Sequence, residues 1–404
     1  MRIKTRKKIL ITLLIIIVII LLTIFGLKLY DKWRIANAKI IVELQDDLEV
    51  EVFSEVKLSD FIKFINGELI EDFQINTTEI GTKPIDFKYI NDDDIEVSYS
   101  FNVTIVDKIP PIIYSSTQMT ILKGYTGNLA EELFCGDNYD DTPTCEIIGI
   151  YDVNTPGTYA VTYKGTDSSG NESTQEFNLI VKEASSSSSS SSPATTTKAF
   201  SDIVAKYKTE NTKIGIDVSR WQGDINFQQV KDAGVEFVFI RVGSQKGIGG
   251  EYFIDPKFEQ NIKGFQAVGI PVGVYFYSYA NSKLAAKVEA EWVVQQLEPY
   301  KLELPVVFDW ENWSFYQEFD LSFYHLTEMA NTYMSIVEKA GYKGMLYSSK
   351  NYLEKVWLET KYPVWLAHYT EQTTYEGDYQ VWQLCSNGRV SGINGNVDVN
   401  IMYN

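Results

Sequence analysis

The stretch that decides the fold is Pro305-Val306-Val307-Phe308-Asp309-Trp310-Glu311. An apolar run of strand type ends in two carboxylates two positions apart. Along a strand, residues i and i+2 point to the same face, roughly 6–7 Å apart. Asp309 and Glu311 therefore share a face, and Trp310 between them points the other way, into packing. Two carboxylates at a strand end suit hydrolysis of a glycosidic bond: one donates a proton to the leaving oxygen and the other stays charged beside the developing cation. Their mutual repulsion separates the two pKa values and so divides the roles.

Working outward, residues 213–404 alternate strand-like and helix-like segments. The apolar strands fall at 214–218, 237–241, 271–277, 305–309, 344–347, 364–368 and 379–384, with a last one around Asp398. Helical patterns fill 226–233, 255–267, 282–297, 321–340 and 349–355. Buried parallel strands in this rhythm predict a β/α (TIM-like) barrel, whose active site opens at the C-terminal strand ends. A Gly-rich phosphate loop is missing, which argues against a nucleotide-binding sheet. Asp217 closes the first strand and Asp398 lies on the last. Barrel closure makes those strands neighbours, so four acids are expected to converge on one mouth.

The ordered set Gly215-Ile216-Asp217-Val218-Ser219-Arg220-Trp221-Gln222-Gly223, FIRVG at 239–243, GVYFYSY at 273–279, FDWE at 308–311, WLAHY at 365–369, YQVWQ at 379–383 and VDVN at 397–400 resembles glycoside hydrolase family 25, the Chalaropsis and phage-type lysozymes. The resemblance covers about 190 residues, nearly half the chain. It implies an N-acetylmuramidase that cuts the β-1,4 bond between N-acetylmuramic acid and N-acetylglucosamine in peptidoglycan. Glu311 would be the general acid and Asp309 the second carboxylate, orienting or charging the substrate's own N-acetyl group or acting more directly. Asp217 and Asp398 match the two further acids of the cleft. Tyr275, Tyr277, Arg241, Tyr369, Trp382 and Gln383 are the expected substrate-binding residues. No metal or organic cofactor is implied. His368 reads as a hydrogen-bonded structural or subsite residue, and Cys385 as a packed small residue. The competing reading is a catalytically inactive wall-binding or adhesive protein on the same scaffold. Retention of every acid speaks against it.

Preceding the barrel, 184–212 contains an unbroken serine tract at 185–192 and reads as a tether. Residues 39–183 alternate apolar and polar with frequent turn residues, predicting β structure. Gly81 and Gly157, and Phe101 and Phe177, share an offset of 76 residues. This repeat defines two all-β modules, 39–107 and 108–183, which resemble tandem bacterial immunoglobulin-like sandwiches. They are expected to act as a spacer. Cys135 and Cys145 occur in the second copy alone, and a disulfide between them suits an extracytoplasmic location. The acidic run 136–141 reads as a solvated loop, its spacing unlike an EF-hand.

At the N-terminus, five basic residues within 1–8 precede an uncharged apolar run at 9–27, long enough to span a bilayer. The expected topology is a cytoplasmic tail (1–8), a transmembrane anchor (9–30) and an extracellular body. A signal peptide cleaved near Ala36-Asn37-Ala38 is the alternative. Residues 1–34 hold eight Lys/Arg and one Asp, so they carry +7, while the remaining 370 carry −25 of the net −18. An acidic body of this kind argues against nucleic-acid binding.

Overall fold

In the computed structural model, residues 2–114, 116–183 and 196–403 are described. The chain divides into two compact units, Met1–Lys108 and Ile109–Asn404.

The first unit begins with one helix, Arg2–Ala36, whose segment Ile11–Ala36 is long and apolar enough to cross a membrane. A β module follows. Its main sheet is built on the hairpin Gly81–Asn91 and Glu96–Val106, with Glu49–Glu51 added parallel and Gly67–Leu69 antiparallel. A separate antiparallel pair joins Val42–Leu44 to Ile62–Ile65. Strict alternation along the hairpin buries Ile85, Phe87, Tyr89, Val97, Phe101, Val103 and Ile105 on one face.

The second unit opens with a β module of the same topology. The hairpin Gly157–Thr166 and Glu172–Lys182 takes Gln118–Leu122 in parallel and Thr144–Ile148 antiparallel, and Ile112–Tyr114 pairs with Phe134–Gly136. Val161 opposes Phe177 as Ile85 opposes Phe101, so the 76-residue repeat extends to strand register. A disulfide joins Cys135 to Cys145. The serine tract at 185–192 lies outside the described residues. Lys198–Ala199 pairs with a barrel strand, and helix Phe200–Tyr207 buries Phe200 and Ile203 in the barrel's outer core. Folded structure of the barrel thus starts before residue 213.

The barrel has eight strands: β1 (Thr212–Val218), β2 (Val238–Gln245), β3 (Val272–Tyr277), β4 (Val306–Asp309), β5 (Gly344–Ser349), β6 (Val364–Ala367), β7 (Val381–Arg389) and β8 (Val397–Tyr403). Strands β1 to β7 are parallel to their sequence neighbours, and β8 closes the ring antiparallel to both β7 and β1. The helices are α1 (Phe227–Asp232), α2 (Phe258–Ala267), α3 (Lys283–Leu297), α4 (Phe323–Lys339) and α5 (Lys350–Lys355). This departs from the all-parallel, regularly alternating barrel expected from sequence. Between β7 and β8 there is no crossover helix, and a short return can only enter antiparallel.

Pleating sorts the side chains of each strand. Phe239, Val307, Met345, Trp365, Val381 and Met402 fill the interior, while Val274, Phe276, Val306, Phe308 and Trp310 face the helices. At Gly273 a Cβ would lie 2.5 Å from the Phe239 ring, so glycine there lets the inner layer close.

Candidate active site

The residues that continue the interior rows beyond the strands' C-terminal ends form a cleft of about 230 Å³. Strand β1 supplies Asp217, β2 Arg241, β3 Tyr275 and Tyr277, and β4 Asp309 with Glu311 just beyond it. Strand β5 adds Tyr347, β6 Trp365 with Tyr369 following, β7 Gln383 and β8 Asp398. Each occupies an inward position of its pleat, so the two-residue period that fills the barrel floor also arms its mouth.

All four sequence-predicted acids line this cleft. Asp217 and Asp398 are register partners across the β1–β8 closure. Asp217 Oδ2 accepts hydrogen bonds from Asn400 Nδ2 (2.8 Å) and Gln383 Nε2 (3.0 Å). The orientation of Gln383 is fixed in turn by Tyr347 and Tyr369, whose hydroxyls donate to its Oε1 at 2.9 and 3.0 Å. Trp365 Nε1 donates to Asn400 Oδ1 at 2.8 Å. Asp217 is thus held by oriented amides in a wall of rings.

Asp309 is 4% exposed, and its Oδ1 has no hydrogen-bond partner among the described residues. Glu311 is the exposed member of the pair, at the mouth. Burial raises Asp309 well above the usual carboxylate range, and the Glu311 charge adds to it. Although part of Glu311 reaches solvent, the cleft walls strip water from its carboxyl and raise its pKa, partly offset by its hydrogen bond with Asp309. Burial also raises Asp217, against the lowering effect of Asn400 and Gln383. Asp398 is pushed up to about 9, first by burial and then by the neighbouring Asp217 charge. Four acids crowded into one cleft cannot all ionise together, so the site retains protons toward neutral pH. Tyr275 and Tyr277 are raised by burial and by Asp217 and Asp309 respectively, and remain protonated hydrogen-bond donors.

Arg241 reaches the cleft but is anchored by an acid the sequence reading did not single out. Asp255, 1% exposed, accepts a hydrogen bond from Arg241 Nε at 2.8 Å and one from the Arg220 backbone N–H at 3.1 Å, and forms an ion pair with Arg241 Nη2 at 2.6 Å. Trp382 is a correction. It points outward, packs edge-on against Tyr207 and donates from Nε1 to the His368 carbonyl. Trp382 and Gln383 are adjacent on one strand, so pleating lets only one of them face the cleft. His368 accepts or donates at Thr373 Oγ1 (2.9 Å), and Cys385 is buried in the outer core. Sequence reasoning missed Tyr347, Trp365, Ser219 and Gln222 as lining residues. The inward alternation used for Asp309 and Glu311 would have found Tyr347 and Trp365 if applied to β5 and β6.

Residues 216–393 match the family model for glycosyl hydrolases family 25. The uncharacterized protein YegX of Escherichia coli O157:H7 is 31% identical over 195 residues, covering 46% of this chain and 68% of the relative. Lysozyme M1 of Streptomyces globisporus is 29% identical over 205 residues, covering 46% of this chain and 66% of the relative. A family 25 glycosyl hydrolase structure from Bacillus anthracis aligns at 21% identity and a TM-score of 0.40, covering 49% of this chain and 92% of that one. The chain belongs to glycosyl hydrolases family 25, and its C-terminal barrel is a glycoside hydrolase of the lysozyme type.

Proposed function

We propose that this protein hydrolyses the β-1,4 bond between N-acetylmuramic acid and N-acetylglucosamine in bacterial peptidoglycan. The observation that carries the reading is the convergence of Asp309 and Glu311 with Asp217 and Asp398 in one ring-walled cleft at the strand ends. Glu311, at the mouth and with a raised pKa, donates the proton to the leaving oxygen. Asp309, buried in the cleft lining with one oxygen that has no hydrogen-bond partner among the described residues, acts on the anomeric side, orienting the substrate's N-acetyl group or meeting the developing charge. Asp217 and Asp398 share a proton and hydrogen-bond the sugar. Tyr275 and Tyr277 donate to the substrate, Arg241 supplies fixed positive charge, and exposed Trp221 and Tyr369 offer rings at the rim on which sugars stack.

The apolar N-terminal helix acts as a membrane tether that holds the barrel on the extracellular side, where its substrate lies. Its length and composition and the basic residues before it support this reading.

The test is digestion of insoluble peptidoglycan by the full chain and by Glu311→Gln, with mass spectrometry of the released fragments. The expected result is fragments with reducing-end N-acetylmuramic acid from the wild type, and a rate lower by a factor on the order of 10²–10⁴ in the variant. Release that survives in the variant overturns the role of Glu311. Reducing-end N-acetylglucosamine overturns the bond.

A further inference from the structure

The second β module does more than space the barrel from its tether. Its strand Phe134–Gly136 is buried along its whole length, and Phe134 belongs to the outer core of the barrel itself. The Phe134 ring lies 5.0 Å from Tyr316, 5.6 Å from Tyr352, 6.2 Å from Phe323 and 6.3 Å from Trp313. Trp313 and Tyr316 in turn pack on Trp310, at 4.8 and 5.8 Å. Trp310 is fully buried, sits between Asp309 and Glu311 in the chain, and is fixed by its Nε1 hydrogen bond to the Ala280 carbonyl at 3.1 Å. A continuous chain of edge-on and tilted ring contacts therefore runs from the β module to the residue that separates the two proposed catalytic acids.

The segment that carries these ring contacts needs outside support. Trp313–Phe319 is a 3-10 stretch with a non-helical kink at Phe315, and it ends at Asp320 with φ of 49°. A short 3-10 run with a non-glycine residue in the left-handed region persists only where its surroundings hold it. The β module supplies that hold. Gln317 Nε2 donates to the carbonyls of Ala130 and Leu133, both at 2.9 Å. Past the kink, the Phe323 N–H donates to the Asp137 carbonyl at 2.7 Å, and the Ser322 N–H donates to Asp141 Oδ1 at 2.7 Å. These bonds satisfy N–H groups that the first turn of α4 leaves without helical partners. At Gly136 an added Cβ would fall 2.6 Å from the Phe323 ring and 2.7 Å from Tyr316, so only glycine permits this approach. The Cys135–Cys145 disulfide, between Phe134 and Gly136, ties the docking strand to the module's main sheet.

We propose that Phe134 is a positioning residue for the hydrolytic reaction, acting through Trp313 and Trp310 to set the place of Glu311 relative to Asp309. The second β module is then a working half of the catalytic unit. The inference rests on the roles assigned above to those two acids. A small displacement of a general acid lowers kcat steeply while leaving binding contacts elsewhere in the cleft intact.

The test compares full-chain wild type, Phe134→Ala, Phe134→Leu and Gly136→Ala on soluble glycan fragments, each assayed well below its own melting temperature. Phe134→Ala is expected to lower kcat about tenfold or more with KM within twofold, and to move the pH limits of kcat. Phe134→Leu, which keeps most of the bulk, should recover part of the loss. Gly136→Ala, which wedges the contact without removing a ring, should reproduce the kcat defect, and it serves as the test if Phe134→Ala does not fold. Lower melting temperatures with kcat and pH profile unchanged would reduce Phe134 to a stabilising residue and overturn the proposal alone. An inactive wild type would overturn the functional reading and the proposal with it.

Discussion

The two β modules share a repeat length, a hairpin register and a sheet topology, yet they belong to different units. In the first, the strand Ile62–Ile65 is nowhere fully buried and leaves Phe64 49% exposed. In the second, the topologically equivalent strand, Phe134–Gly136, is wholly buried, and its aromatic residue has joined the core of a hydrolase barrel. The hairpins, which carry the repeat, did not change. What differs is one short strand, a glycine and a cross-linked acidic loop. A repeat therefore identifies a shared scaffold without fixing its use, because the use resides in the edge that the scaffold presents.

The comparison is broken most directly by removing both aromatic residues in turn. Phe134→Ala should destabilise the second unit by about 3–5 kcal/mol, the cost of an aromatic-sized cavity in a packed core. Phe64→Ala should stay within about 0.5 kcal/mol, as exposed sites do. Denaturant titration of the full chain reads both, and equal losses would erase the distinction.

A second test sharpens it by asking where pH acts. Glu289 on α3 is fully buried beneath the loop after β3, accepting from Ser278 Oγ at 2.5 Å and from the Tyr279 N–H at 3.3 Å. Burial raises its pKa from 4.5 to about 7. A carboxyl raised on folding favours the fold below its unfolded pKa, and that contribution is lost as pH climbs through the folded value. Between pH 4.5 and 7 the wild type should lose about 3 kcal/mol that Glu289→Gln does not lose, on the order of 1.4 kcal/mol per pKa unit. The cleft acids shift stability in the same direction, so the difference between the two proteins is the quantity to measure. Unfolding monitored in the second unit should show it and unfolding of the first should not. Parallel pH curves for wild type and variant would contradict the assignment.

The smallest expected effect concerns the acidic loop. Asp141 Oδ1 accepts from the Ser322 N–H and lies 2.6 Å from His325 Nδ1, both at the start of α4. Asp141→Ala should cost about 1 kcal/mol, the usual worth of a charge-assisted bond at a helix start. No change in melting temperature would mean that the rings and the remaining bonds of Gln317 and the Phe323 N–H dock the module without Asp141.

Much of this protein is determined locally and is therefore legible in its sequence. Alternation along Val306-Val307-Phe308-Asp309 assigns inside and outside whatever the partners are, which is why Asp309 and Glu311 were readable as cleft residues and Trp310 as packing. The 76-residue offset survives into strand register for the same reason. The same alternation lets only one of the neighbours Trp382 and Gln383 face the cleft, and it is Gln383. Other features were decided by contacts between segments distant in the chain. The antiparallel β8, the partnership of Arg241 with Asp255, the burial of Glu289 and the turn of Phe134 into a foreign core all depend on which surfaces meet. A strand's period states which face a residue occupies, and only the packed tertiary structure states what that face touches.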